Sequence, residues 1–129
     1  MPSFPLRYLR VSVTSRCNLR CVYCRPARGA EGADVLSREE IVRFVRLAVE
    51  CGIEKVRLTG GEPLVRGDIV EIVRDLASSP GLGDLGLTTN ATLLAPLAAP
   101  LREAGLRRIN IGLSETFHSG APQFVECQS

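Results

Sequence analysis

Four strand-like runs recur along the chain at intervals of about 30 residues, the length of a parallel βα unit. They are Tyr8-Leu9-Arg10-Val11-Ser12-Val13-Thr14, Glu54-Lys55-Val56-Arg57-Leu58-Thr59, Leu85-Gly86-Leu87-Thr88-Thr89 and Arg107-Arg108-Ile109-Asn110-Ile111-Gly112-Leu113. The stretches between them carry helical signals. Ser37-Arg38-Glu39-Glu40 is a capping box, followed by Ile41, Val42, Val45, Ala48 and Val49 on one face and closed by Gly52. Asp68 reads as the N-cap of a second helix with Ile69, Ile72, Val73 and Leu76 inward. A third helix is expected between Leu93 and Ala104, with Pro96 and Pro100 opposing it, because proline fits only a first turn without cost. The order β-α-β-α-β-α-β predicts an α/β fold of parallel repeats with right-handed crossovers. A complete (β/α)8 barrel takes about 250 residues, so 129 residues hold half of one.

In such folds ligands gather at the C-terminal ends of strands, and the notable residues of this chain lie there. Cys17-Asn18-Leu19-Arg20-Cys21-Val22-Tyr23-Cys24 follows the first run directly and places three cysteines at C-x3-C-x2-C spacing. Thiolates this close readily hold a metal centre, and three is one short of the four that iron–sulfur clusters usually take from protein. A zinc site or three unrelated buried thiols are the alternatives. Gly60-Gly61-Glu62-Pro63 follows the second run. Glycine permits close backbone approach, whereas Glu62 also suits a structural carboxylate at the start of a helical turn.

Composition narrows the function classes. A net charge of +2 and 5% aromatic residues with no tryptophan argue against a nucleic-acid surface. No apolar run approaches the ~20 residues of a membrane helix, and no apolar h-region follows Met1. Five cysteines, three of them clustered, suit a reducing cytoplasm better than a disulfide scaffold. Cys51 reads as the end of an apolar helix face, and His118 and Cys127 as residues of a polar tail without partner spacing.

The cysteine spacing and the Gly-Gly-Glu-Pro sequence one unit later resemble the radical S-adenosylmethionine (SAM) superfamily. Residues 6 to 113 resemble, within it, the MoaA family of GTP 3′,8-cyclases of molybdenum cofactor biosynthesis. The segments that carry this likeness are 9–24, 55–64, 87–90 and 104–111. The resemblance implies the first half of a radical SAM partial TIM barrel. It implies that Cys17, Cys21 and Cys24 ligate a [4Fe-4S] cluster whose open iron chelates SAM. Tyr23, Gly60, Gly61 and Glu62 are implied on the SAM side, and Arg10, Arg57 and Thr88 as contacts to GTP. An external electron donor would reduce the cluster. The 5′-deoxyadenosyl radical would then take the 3′-hydrogen of GTP, and the ribose carbon would attack C8 of guanine.

The sequence departs from that family in four places. Gly112 stands where the family has a SAM-contacting serine, and Arg25 where it has an apolar residue. The family's second cysteine triad is not reached, and residues 114–129 are expected to be an irregular tail. That loss of pattern suggests truncation, with residues 1–113 as the N-terminal part of a radical SAM core. A half barrel exposes its fourth strand, an edge open to pairing or to a homodimer. Two other readings stay open: a radical SAM enzyme acting on another substrate, and a cluster-binding remnant without turnover.

Overall fold

The computed structural model describes residues 6–17, 34, 36–116 and 122–128, with side chains described as far as residue 112. Its elements in chain order are β1 (Tyr8–Ser12), α1 (Arg38–Glu50), β2 (Lys55–Thr59), a 3-10 turn (Pro63–Val65), α2 (Ile69–Ala77), β3 (Asp84–Thr89), α3 (Leu94–Ala104), β4 (Arg108–Thr116) and β5 (Pro122–Gln128). The strands form one sheet in sequential order, β1-β2-β3-β4-β5. The first four are parallel, with Arg10 beside Arg57, Arg57 beside Gly86, and Gly86 beside Arg108. Sequential order has no topological switch point. It is the arrangement of a barrel arc, and of the two parallel architectures that the βα alternation allows it excludes the doubly wound one.

Side-chain alternation divides the sheet into two unlike faces. Val11, Val13, Val56, Leu58, Leu85 and Leu87 point one way and share a single core with Ile41, Val45, Ile69, Ile72, Leu76 and Leu101 of the three helices. The other face carries Tyr8, Arg10 and Ser12, then Lys55, Arg57 and Thr59, then Thr88, and finally Arg108 and Asn110. In a closed barrel this polar face would be the interior.

The helices form for the reasons the sequence offers, with two exceptions. Ser37 caps α1 in a complete capping box: its hydroxyl accepts from the Glu40 N–H, and the Glu40 carboxylate accepts from the Ser37 N–H. Asp68 occupies the N-cap position of α2 but makes no cap hydrogen bond. Its carboxylate accepts from Arg66 instead, at 2.6 and 3.3 Å. The third helix is intact despite both prolines. Pro96 falls in its first turn, where the missing N–H has no intrahelical acceptor to lose. Pro100 lies in the interior, and burial of Leu101 and Ala104 outweighs its lost hydrogen bond. Cys51 is the C-cap of α1 and is exposed, so it belongs to no apolar face.

The chain after Leu113 differs from expectation. β4 continues to Thr116, and Pro122–Gln128 pairs with it antiparallel, from Asn110 opposite Gln128 to Thr116 opposite Pro122. The edge expected to lie open at β4 is therefore covered by the same chain. Backbone pairing has no need of hydrophobic periodicity, the signal this segment lacks in sequence. Among the described residues, no helix is long and apolar enough to cross a membrane.

Candidate functional site

Two loops meet at the C-terminal end of the sheet. The chain leaving β1 continues the parallel ladder beyond the strand, with the Val13 N–H on the Thr59 carbonyl at 2.9 Å. The loop leaving β2 answers: Gly61 N–H donates to Thr14 O at 2.9 Å and Glu62 N–H to Arg16 O at 2.8 Å. Cys17 is the next residue, a half-buried free thiol. Both glycines are required by this approach. A Cβ on Gly60 would collide with the Thr14 carbonyl oxygen, and one on Gly61 with the Arg16 carbonyl oxygen. Gly60 also has φ +150°, on the glycine side of the backbone map. The pair thus admits the backbone of residues 14–16 as its close neighbour, where the sequence suggested a ligand.

Glu62 is 1% exposed, and its carboxylate is fully engaged. Oε2 accepts from Leu64 N–H at 3.0 Å and from the Thr89 hydroxyl at 2.6 Å, while Oε1 accepts from Asn90 N–H at 2.7 Å. The residue caps the 3-10 turn and ties the loop after β2 to the end of β3. Of the two readings of Glu62, the geometry displays the structural carboxylate; its side chain reaches protein donors on every side.

One pleat deeper, about 7 Å along the strands, Arg10 and Arg57 sit side by side in register on the polar face. The Arg57 guanidinium lies 5.6 Å from the Tyr8 ring centroid. With the buried Asn110 amide turned oxygen-first, that oxygen is 2.7 to 3.1 Å from the Arg57 nitrogens. Neither arginine makes an ion pair with a described residue, whereas Arg108, on the same face, pairs with Asp84 at 3.3 Å. The Thr88 hydroxyl is buried and has no hydrogen-bond partner among the described residues. Buried hydroxyls are nearly always paired, and Thr88 stands on the same face of the sheet as Arg10 and Arg57.

The segment that bears the cysteines is held at its two ends. Arg16 donates to Asp34 through Nε at 3.1 Å and Nη2 at 2.7 Å. Burial pushes the Asp34 carboxyl up, but hydrogen bonds from the Thr14 and Arg16 side chains and the charges of Arg16 and Arg66 outweigh it and hold it below the usual range. Arg66, 4% exposed, donates through Nη1 to Val13 O at 2.8 Å and to Leu36 O at 2.7 Å.

Of the residues singled out from sequence, Cys17, Gly60, Gly61 and Glu62 gather at the sheet's C-terminal edge, and Arg10, Arg57 and Thr88 lie beneath them. Cys21, Tyr23, Cys24, Arg25 and His118 fall outside the described residues, and among the described ones no group of three or more His, Cys, Asp or Glu side chains clusters to hold a metal. Arg16, Asp34, Arg66, Thr89, Asn90 and Asn110 were missed. Arg66 carries no sequence signal for its role, because two of its acceptors are the backbone carbonyls of Val13 and Leu36.

A parallel βα arc with its polar face free of the described helices, and with the cysteine and Gly-Gly-Glu-Pro loops leaving its carboxyl edge, defines a barrel-type α/β protein. Residues 11–118 match the radical SAM superfamily; the chain belongs to it, and the match continues past Leu113. A GTP 3′,8-cyclase of Listeria welshimeri is 58% identical over 121 residues, covering 92% of this chain and 36% of the relative. A GTP 3′,8-cyclase of Moorella thermoacetica is 52% identical over 111 residues, covering 84% and 34%. The chain thus spans about a third of the length of these relatives. Among solved structures, BtrN in an open conformation superposes with TM-score 0.63 at 21% identity, over 84% of this chain and 50% of that one. Streptococcus suis SuiB bound to the precursor peptide SuiA gives TM-score 0.63 at 26% identity, over 79% and 22%.

Proposed function

We propose that this chain is the N-terminal part of a radical SAM GTP 3′,8-cyclase, and that it binds a [4Fe-4S] cluster, SAM and GTP on the carboxyl side of its sheet. The observation that carries the substrate is the buried Thr88 hydroxyl, unpartnered among the described residues, on the face where Arg10 and Arg57 have no carboxylate partner among those residues. The 52–58% identity to GTP 3′,8-cyclases supports the same assignment.

The donor set suits the cluster. Cys17 stands at the carboxyl edge with a free thiol, and Cys21 and Cys24 follow at a spacing that supplies three thiolates and leaves one iron without a protein ligand. Bound there by Cys17, Cys21 and Cys24, the cluster would supply one-electron reducing chemistry towards SAM. The protein's work is placement. The Gly60–Gly61 backbone and the Glu62 carboxylate fix the loop on which Cys17 rests. Arg10 and Arg57 offer guanidinium forks to a triphosphate, and the Thr88 hydroxyl donates to an acceptor of the nucleotide. Tyr8 and Asn110 keep the Arg57 guanidinium over the polar face.

Calorimetric titration with GTP tests the substrate assignment. Binding is expected for the wild type and a loss of at least tenfold in affinity for Arg57→Met or Thr88→Val, since each removes a buried or charge-assisted hydrogen bond worth about 1.5–3 kcal/mol. Equal affinity in all three proteins would refute it.

A further inference from the structure

We propose that Arg66 and the Arg16–Asp34 ion pair are positioning residues for Cys17, the first of the three cluster cysteines. They clasp both ends of the cysteine-bearing segment, so that Cys17 is held at the sheet's edge independently of any metal. The inference rests on the reading of Cys17, Cys21 and Cys24 as cluster ligands. It adds residues outside the cysteine motif that set where the first of those ligands stands.

The clasp has two tiers. In the inner tier one buried guanidinium, that of Arg66, bonds the carbonyl of Val13 before the segment and that of Leu36 after it. Asp68 occupies the far side of the same guanidinium with both carboxylate oxygens and neutralises it. In the outer tier Arg16, immediately before Cys17, holds Asp34 in a two-pronged pair whose members are 39% and 30% exposed. The Arg16 carbonyl is meanwhile fixed by the Glu62 N–H, so the arginine joins the segment's far end to an already anchored backbone.

The physical consequence concerns entropy. Bringing the ends of a chain segment together has a conformational cost that a cluster would otherwise have to meet on binding. With the ends bonded by protein groups, that cost falls on folding. Buried carbonyls demand partners, which explains why a charged side chain with several donors is spent on two backbone oxygens from distant parts of the chain. Ordinary structural support predicts a different signature, a change in melting temperature without a change in how firmly the metal is held.

The test uses the full chain, loaded anaerobically with ferrous iron and sulfide, and follows iron release to bathophenanthroline well below the melting temperature. Arg16→Asp, which sets two carboxylates together, is expected to speed release about three- to fivefold, the scale of a partly exposed two-pronged pair. The double variant Arg16→Asp, Asp34→Arg is expected to return to within about twofold of wild type, because the exchanged pair has the same charges and reach. Arg66→Met is expected to release faster than either; the exchange of the outer pair carries the test if that variant does not fold. Equal release by wild type and Arg16→Asp, or failure of the exchange to restore it, overturns the proposal. A wild-type chain that takes up no cluster overturns the cluster reading and this inference with it.

Discussion

Glu62→Gln should unsettle the site's frame more than the loss of one charge suggests. The carboxylate presents two acceptor oxygens to three donors, the Leu64 N–H, the Thr89 hydroxyl and the Asn90 N–H. An amide keeps one oxygen. If that oxygen stays with Leu64 and Thr89, the new NH2 faces the Asn90 N–H, donor against donor, in a position 1% exposed. Hydrogen bonds to a charged acceptor are worth about 1.5–3 kcal/mol, and a stranded buried donor costs about 1–3 kcal/mol. Together these give a destabilisation of roughly 3–5 kcal/mol. At about 3–6 °C per kcal/mol for a domain of this size, the melting temperature should fall by at least ~10 °C. Thermal denaturation followed by circular dichroism reads the global effect, and amide hydrogen exchange at Leu64 and Asn90 reads the local one. A fall of under ~2 °C with unchanged protection at both amides would refute the account of Glu62 as the carboxylate that ties β2 to β3.

Three further outcomes are expected. Gly61→Ala should lower stability by about 2–4 kcal/mol in urea denaturation, because the new methyl meets the backbone of residues 15 and 16 rather than a side chain able to move aside. Ser37→Ala should cost about 1 kcal/mol in the same assay by opening the α1 capping box. Asp75, held below the usual carboxylate range by its hydrogen bond from Arg38 at 2.7 Å, should support stability fully above about pH 4 and lose that support as pH falls through its lowered value. The acid limb of urea midpoint against pH should accordingly be flatter in Asp75→Asn, and an unchanged limb would contradict the pairing.

The parallel arc was legible because its evidence is local and repeated. Val56 and Leu58 alternate with polar neighbours, Ile69, Ile72, Val73 and Leu76 recur at helical spacing, and Gly52 stands where a helix must end. The carboxyl edge was legible for the same reason: cysteines and glycines mark a loop by their type alone. What the sequence could not display was direction. Gly60 and Gly61 read as a close backbone approach to a ligand, and the close approach described is to the carbonyls of Thr14 and Arg16. Glu62 read as a contact on the cofactor side, with a structural carboxylate as the alternative; its donors lie partly in β3 and in the loop behind it. Arg66 gave no sign of its role because its acceptors are backbone oxygens 53 and 30 residues away, and backbone groups have no sequence signature. The strand Pro122–Gln128 was illegible because pairing at a sheet edge uses N–H and C=O groups common to every residue but proline.

The central claim is that this chain, loaded with its cluster, performs the reductive cleavage of SAM. Quantifying 5′-deoxyadenosine after anaerobic reconstitution, with dithionite and SAM present and Cys21→Ser as control, tests it most directly. The account predicts 5′-deoxyadenosine from the wild type and none above background from the control. A wild-type protein that holds a cluster yet yields no more 5′-deoxyadenosine than Cys21→Ser would contradict it.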